Sequence, residues 1–209
     1  MREVAGEVRT GLRADARDNR ARILTVARAV FAAEGLDVPI REIARRSEVG
    51  VATVYRHFPT KEALLAEAFA EQMASCVEIV EEGLADADPW RGFGVVVERL
   101  MAVHALDRGL ARAFTSPLGA VELAAERDRA LRLLRELVRR AKDAGELRDD
   151  FVVEDLVLVL MANEGIRAVT LATRVAAARR FAALVTQSFR AGPTVAPLPS
   201  PVVLPLSAG

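Results

Sequence analysis

Several residue types are scarce in this 209-residue chain: it holds one cysteine, one tryptophan, one tyrosine and two histidines. A lone Cys76 excludes an internal disulfide and a thiolate metal cluster, which makes the cytoplasm the expected compartment. The histidines are His57 and His104; there is no H-E-x-x-H pair and no glycine-rich phosphate loop, and the carboxylates are scattered over helix faces. No enzyme, cofactor or metal site is therefore expected. An excess of charge of one sign is missing too, because 29 basic side chains balance 29 acidic ones. Bulk charge thus gives no reason to invoke nucleic acid, and such a reading has to rest on where charges sit. No apolar run reaches about 18 residues, and the opening MREVAGEVRTGLRADARDNR has no apolar segment, so neither a membrane span nor a secretory leader is expected.

What is present is aliphatic and helical in character. Hydrophobic residues make up 52% of the chain and aromatics 5%, which calls for an aliphatic core. Ala, Leu, Arg and Glu recur without alternating β-branched runs, so the expected fold class is all-α. Residues 1–18 lack an apolar period and read as a flexible arm. A helix over about 20–34, with Ile23, Leu24, Ala27, Val30 and Phe31 on one stripe, is closed by Gly35. After residues 59 and 60 a long helix over about 61–84 follows, with Thr60 as its N-cap. Further helices are expected at about 90–106, 107–115, 119–144, 152–169 and 173–190, making about nine in all. Arg127, Arg132, Arg135, Arg139 and Arg140 read as a solvated flank of the 119–144 helix. The last residues carry five prolines and read as a flexible tail. The expected division is an arm (1–18), a head (19–60), a larger body (61–190) and the tail (191–209).

The most informative stretch is IREIARRSEVGVATVYRHF at 40–58. Ile40, Ile43 and Ala44 stripe one short helix; a turn near Gly50 follows, and Val51, Val54, Tyr55 and Phe58 resume the period. Two helices this short are unstable alone and need the 20–34 helix as a third wall. Short helix, tight turn, short helix is the order that presents a second helix to a DNA major groove. In that reading Val51, Ala52 and Thr53 permit close approach to base edges, and Arg56 reaches base or backbone. Tyr55, His57 and Lys61 hold phosphates, joined by Thr60 and Arg45. The rival reading puts Tyr55 and Phe58 in the core of the head and leaves His57 a plain surface residue.

The run RILTVARAVFAAEGLDVPIREIARRSEVGVATVYRHFPTKEALLAEAF, residues 22–69, resembles the N-terminal domain of tetracycline-repressor-type (TetR family) transcriptional regulators. The resemblance rests on the Gly35 turn, the IREIA helix, VGVATVYRHF and the FPTKEALL continuation, in that order. It implies a homodimer that binds a near-palindromic operator, usually repressing transcription until a small molecule enters the C-terminal body. It also implies DNA contacts at Thr53, Tyr55, His57 and Lys61, with sequence-variable readers at Val51, Ala52 and Arg56. Two departures stand out. VPI at 38–40 replaces the usual serine or threonine cap, with Asp37 as a substitute, and Ala52 sits where glycine or serine is frequent.

The apolar helices at about 152–169 and 173–190 are the expected dimer surface, since two such pairs can close a four-helix bundle. An effector pocket is expected within the body, with Trp90, Arg99, His104, Arg108, Phe114 and Asn163 as the polar or aromatic candidates. The competing function is a helical dimeric adaptor that has lost DNA binding.

Overall fold

The computed structural model describes residues 3–110, 121–193 and 196–201, with side chains from 15 onward except at 121–124. Among these residues the chain forms no strand and eight helices with both ends described, besides the start of another at 108–110: α1 (Glu3–Glu34), α2 (Ile40–Arg46), α3 (Val51–His57), α4 (Lys61–Ala85), α5 (Pro89–Leu106), α6 (Val121–Asp143), α7 (Val153–Glu164) and α8 (Leu171–Ser188). The all-α expectation holds. Of the helix expected over 107–115, residues 108–110 are helical and the remainder lies outside the described residues.

Three boundaries differ from the sequence reading. The first helix starts at Glu3, not near 20. Residues 3–19 contain no proline, and extending an existing helix costs far less than nucleating one, so Gly6 and Gly11 are tolerated. Helix α7 stops at Glu164, about a turn before the expected 169, where Gly165 takes the C-cap position and the Ile166 amide donates to the Asn163 carbonyl at 3.1 Å. The tail is extended as its prolines require, yet its described part is tied down. Arg148 donates to the Ala196 carbonyl at 2.7 Å and the Leu198 amide donates to the Asp150 carboxylate at 2.8 Å. The hydrogen bonds that Arg148 donates to the Asp150 carboxylate, followed by that of the Leu198 amide, hold the Asp150 pKa well below the usual carboxylate range.

Caps explain the remaining punctuation. Gly35, at φ 94°, ends α1 in the left-handed region, and its amide donates to the Phe31 carbonyl. Thr60 caps α4 as expected, accepting from the Ala63 amide at 3.0 Å. The cap of α2 is Pro39, with no side-chain bond, so Asp37 does not take the role expected of it. Proline at this position has a φ of −67° already suited to helix entry and leaves no amide to satisfy.

Helices α4 and α5 form an antiparallel hairpin at the centre of the body, with α6 against α4 and α8 against α5. The hairpin closes on glycine. A Cβ on Gly92 would lie 2.2 Å from the Gly83 carbonyl oxygen, and one on Gly83 would lie 2.2 Å from Val96 Cγ2. The backbones can meet there only because neither side chain exists. One continuous core runs from Ile23 in α1 to Phe189 after α8. It is largely aliphatic, but the few phenylalanines are concentrated in it: Phe93, Phe151 and Phe189 meet edge-on with ring centroids 4.8–6.4 Å apart, at the end of the body far from α3.

Candidate nucleic-acid interface

Helix α3 has a sharply divided surface. Val54 and, just beyond the helix, Phe58 are buried four residues apart, anchoring it against α1 and α2. On the opposite side Val51 and Tyr55, 42% and 47% exposed, form one exposed pair at four-residue spacing, and Ala52 and Arg56 form another. Thr53 and His57, also four apart, are half-buried along the flank. Phe58 is therefore core, whereas Tyr55 is not, which removes half of the rival reading.

The turn before α3 is not built as expected. The residue in the left-handed region is Glu48, at φ 55°, while Gly50 sits at φ −69°, ψ 147° as the N-cap of α3 with no side-chain cap bond. Glycine at 50 drew the turn to itself in the sequence, but its own backbone conformation is open to any residue.

The charges around α3 differ in availability. Arg45 is exposed, yet Glu42 holds its guanidinium through two hydrogen bonds of 2.9 and 2.7 Å. Arg46 binds the same carboxylate at 2.6 Å and reaches Glu34 at 2.5 Å. Hydrogen bonds from Arg45 and Arg46 bring the Glu42 pKa down to about 2, so this network stays ionised. Arg56 and half-buried Lys61 form no ion pair among the described residues, which leaves them free to meet phosphate. Burial, followed by the charges of Arg56 and Arg20, pushes the His57 pKa below its ordinary value of 6.5; the imidazole is neutral at pH 7 and its Nε2 is buried without a partner.

The head is fastened to α4. Arg20 pairs with Glu67 and stands 5.4 Å from the Phe58 ring centroid, Arg28 donates to the Ala68 carbonyl, and the Phe31 and Phe69 rings lie 6.3 Å apart. These contacts join α4 to α1, which in turn packs on α2 and α3.

The six pocket candidates do not line one cavity. His104 is fully buried and borders an internal cavity of about 20 Å³ together with Cys76 of α4, Leu131 and Leu134 of α6, and Leu156 and Leu160 of α7. Burial pushes the His104 pKa down to about 4. Asn163 is 3% exposed and donates through Nδ2 to the Met101 carbonyl at 2.9 Å, which gives the amide the partner its burial required. Arg99 is exposed and pairs with Glu82. Trp90 stacks on Phe93 at 5.9 Å and lines an open groove of about 460 Å³ between α5 and α8. Arg108 donates to the Ile166 carbonyl at 3.4 Å and borders another open groove, near α1. Phe114 lies outside the described residues. The scatter follows from helical geometry: Arg99 and His104 sit on different faces of α5, and Trp90 is about 21 Å from His104 along the axis at 1.5 Å per residue.

Two features went unread in the sequence. The leucines around the cavity carry no signal that separates them from ordinary core. Arg127, expected in the solvated flank with its neighbours, is 8% exposed, while Arg132, Arg135 and Arg139 are exposed as expected. Its spacing from Leu131 and Leu134 was the available clue.

Among the described residues no helix is long and apolar enough to cross a membrane. Residues 23–68 match the family model described as bacterial regulatory proteins, tetR family, and residues 88–191 match the C-terminal domain of SbtR-like transcriptional regulators. The chain is 28% identical over 138 residues to the HTH-type transcriptional repressor KstR of Mycobacterium tuberculosis, a match spanning 64% of this chain and 63% of that protein, slightly under two thirds of its length. It is 36% identical to a TetR transcription regulatory protein of known structure from Mycobacterium vanbaalenii, covering 86% of this chain and 99% of that one with a TM-score of 0.44. The TetR-family regulator PfmR of Thermus thermophilus is 25% identical, with 79% of this chain and 94% of that one covered and a TM-score of 0.58.

Proposed function

The chain belongs to the TetR family of bacterial regulatory proteins, and on that premise we propose that it is a sequence-specific DNA-binding transcriptional regulator, acting as a repressor that a small molecule releases from a palindromic operator. The single observation that carries this reading is the divided surface of α3, whose Val51, Ala52, Tyr55 and Arg56 face solvent while Val54 and Phe58 fix the helix in the head. The exposed face enters the major groove; Thr53, Tyr55, His57 and Lys61 position the phosphates, with Thr60 beside them, and Val51, Ala52 and Arg56 meet base edges. Arg45 contributes only by sharing its guanidinium between Glu42 and a phosphate. The head comprises residues 19–60 and the body 61–190, and the protein works in the cytoplasm, where its operator is.

One α3 contacts few base pairs, so two heads are required. Leu158 and Met161 on α7 and Leu171 and Leu184 on α8 are exposed in the single chain, and pairing of α7 and α8 with a second copy buries them. The effector works through α4. Cys76 borders the internal cavity and Lys61 opens the same helix beside α3, so a molecule that spreads the cavity moves α4 and changes the spacing of the two heads.

Selection of bound duplexes from a random pool tests the DNA reading. The expected outcome is enrichment of an inverted repeat whose half-sites lie about one helical turn or slightly more apart. A pool that gains no sequence preference supports the helical dimeric adaptor instead.

A further inference from the structure

The cavity between α4, α5, α6 and α7 is lined by aliphatic side chains with Cys76 and His104, and on three of these helices a polar group with a buried, unpartnered atom stands about one turn beyond the lining. On α4, Gln72 precedes the cavity-lining Cys76 by one turn, and its Oε1 is buried without a donor. On α7, Asn163 follows Leu160 by three residues, and its Oδ1 is buried without a donor. On α6, Arg127 precedes Leu131 by four residues, and its Nε is buried without an acceptor. Residues three or four apart share a helix face, so each group prolongs the stripe that lines the cavity.

The three lie at the same end. Arg129 pairs with Glu81 and Arg140 donates to the Leu84 carbonyl, so α6 runs in the direction of α4. Their N-terminal halves therefore point the same way, toward the C-terminal ends of α5 and α7, where Asn163 reaches Met101. That end faces the head.

Arg127 sets the sign of the missing partner. Its guanidinium carries a positive charge, and among the described residues its ionic contact is the adjacent Asp128, 3.6 Å away and half exposed to solvent. A guanidinium N–H buried without an acceptor is costly, and a ligand carboxylate reaching Nε would relieve that cost. Gln72 can offer a donor to the same group by turning its amide over. The present volume of about 20 Å³ has room for about one water, which needs about 10–15 Å³ on the same measure, so any larger ligand must part the helices to enter.

We propose that this cavity opens to bind an apolar-chain monocarboxylate, with its hydrocarbon against Leu131, Leu134 and Leu160 and its carboxylate on Arg127. This deepens the effector reading and rests on it.

Calorimetric titration of the full-length protein without DNA is the test, using decanoate below its micellar concentration, nonanoate, 1-decanol and decylammonium as probes. Decanoate is expected to bind at least tenfold more tightly than the alcohol or the amine, and loss of one methylene to weaken it about fourfold. Arg127→Met should bring decanoate down to the level of decanol while leaving decanol unchanged, and Arg127→Lys should keep part of the preference. Equal binding of decanoate and decanol by the unaltered protein, or an unchanged preference in a folded Arg127→Met, would overturn the assignment. If Arg127→Met does not fold, the head-group series on the unaltered protein and Arg127→Lys decides alone. Binding is read without DNA, so decanoate that binds as expected here but leaves the operator occupied in a separate displacement assay keeps the site and removes only the effector reading.

Discussion

Acidification should loosen the body through His104 before the carboxylates titrate. Its imidazole is fully buried, with a pKa near 4 against about 6.5 when the chain is unfolded. Because the folded-state value is the lower one, the unfolded chain binds the proton first. Stability from this residue is complete above about 6.5, declines as the pH falls toward 4, and levels off below that. A gap of about 2.5 pH units at about 1.4 kcal/mol each gives roughly 3 kcal/mol, a large share of the 5–15 kcal/mol that holds a typical domain together. The assay is urea denaturation followed by circular dichroism between pH 7.5 and 4, for the native sequence and for His104→Leu. His57, whose pKa is also lowered by burial, is present in both proteins and cancels from the comparison. Unfolding free energy of the native sequence should fall by roughly 3 kcal/mol more than that of the variant over this range. Parallel curves would refute the reasoning.

Other expectations follow from packing. Gly92→Ala forces a methyl group onto the Gly83 carbonyl, so α4 and α5 must separate; a loss of about 1–3 kcal/mol in chemical denaturation is expected, and an unchanged midpoint would contradict the close approach. Cys76 is buried, and burial pushes its pKa up to about 12. It should resist a thiol reagent at pH 8 in the native protein and react at once in denaturant; rapid labelling of the native protein would place it elsewhere.

The head was legible because its signals are local. Ile40, Ile43 and Ala44, followed by Val54 and Phe58, repeat at helical spacing over fewer than twenty residues, and Thr60 announces α4. Glu48 was not legible, since a left-handed glutamate has no sequence mark while Gly50 two residues later has a strong one. In the body, the apolar stripes located the helices but could not say which side chains converge. That depends on how α4 to α7 roll against one another, a matter settled by the Gly83–Gly92 contact and by long-range packing. Trp90, Arg99 and Arg108 drew notice as unusual residues, whereas the cavity is bordered mainly by leucines that resemble every other leucine. Arg127 was hidden among four arginines that do face water or the helix edge.

Salt-dependent titration of a selected duplex with the native sequence, Lys61→Ala and Arg56→Ala tests the central claim about α3 most directly. Lys61→Ala should weaken binding to all duplexes alike and reduce the slope of log affinity against log salt by about one, while Arg56→Ala should alter the ranking of sequences. Slopes and rankings identical among all three proteins would mean that the exposed face of α3 does not meet DNA.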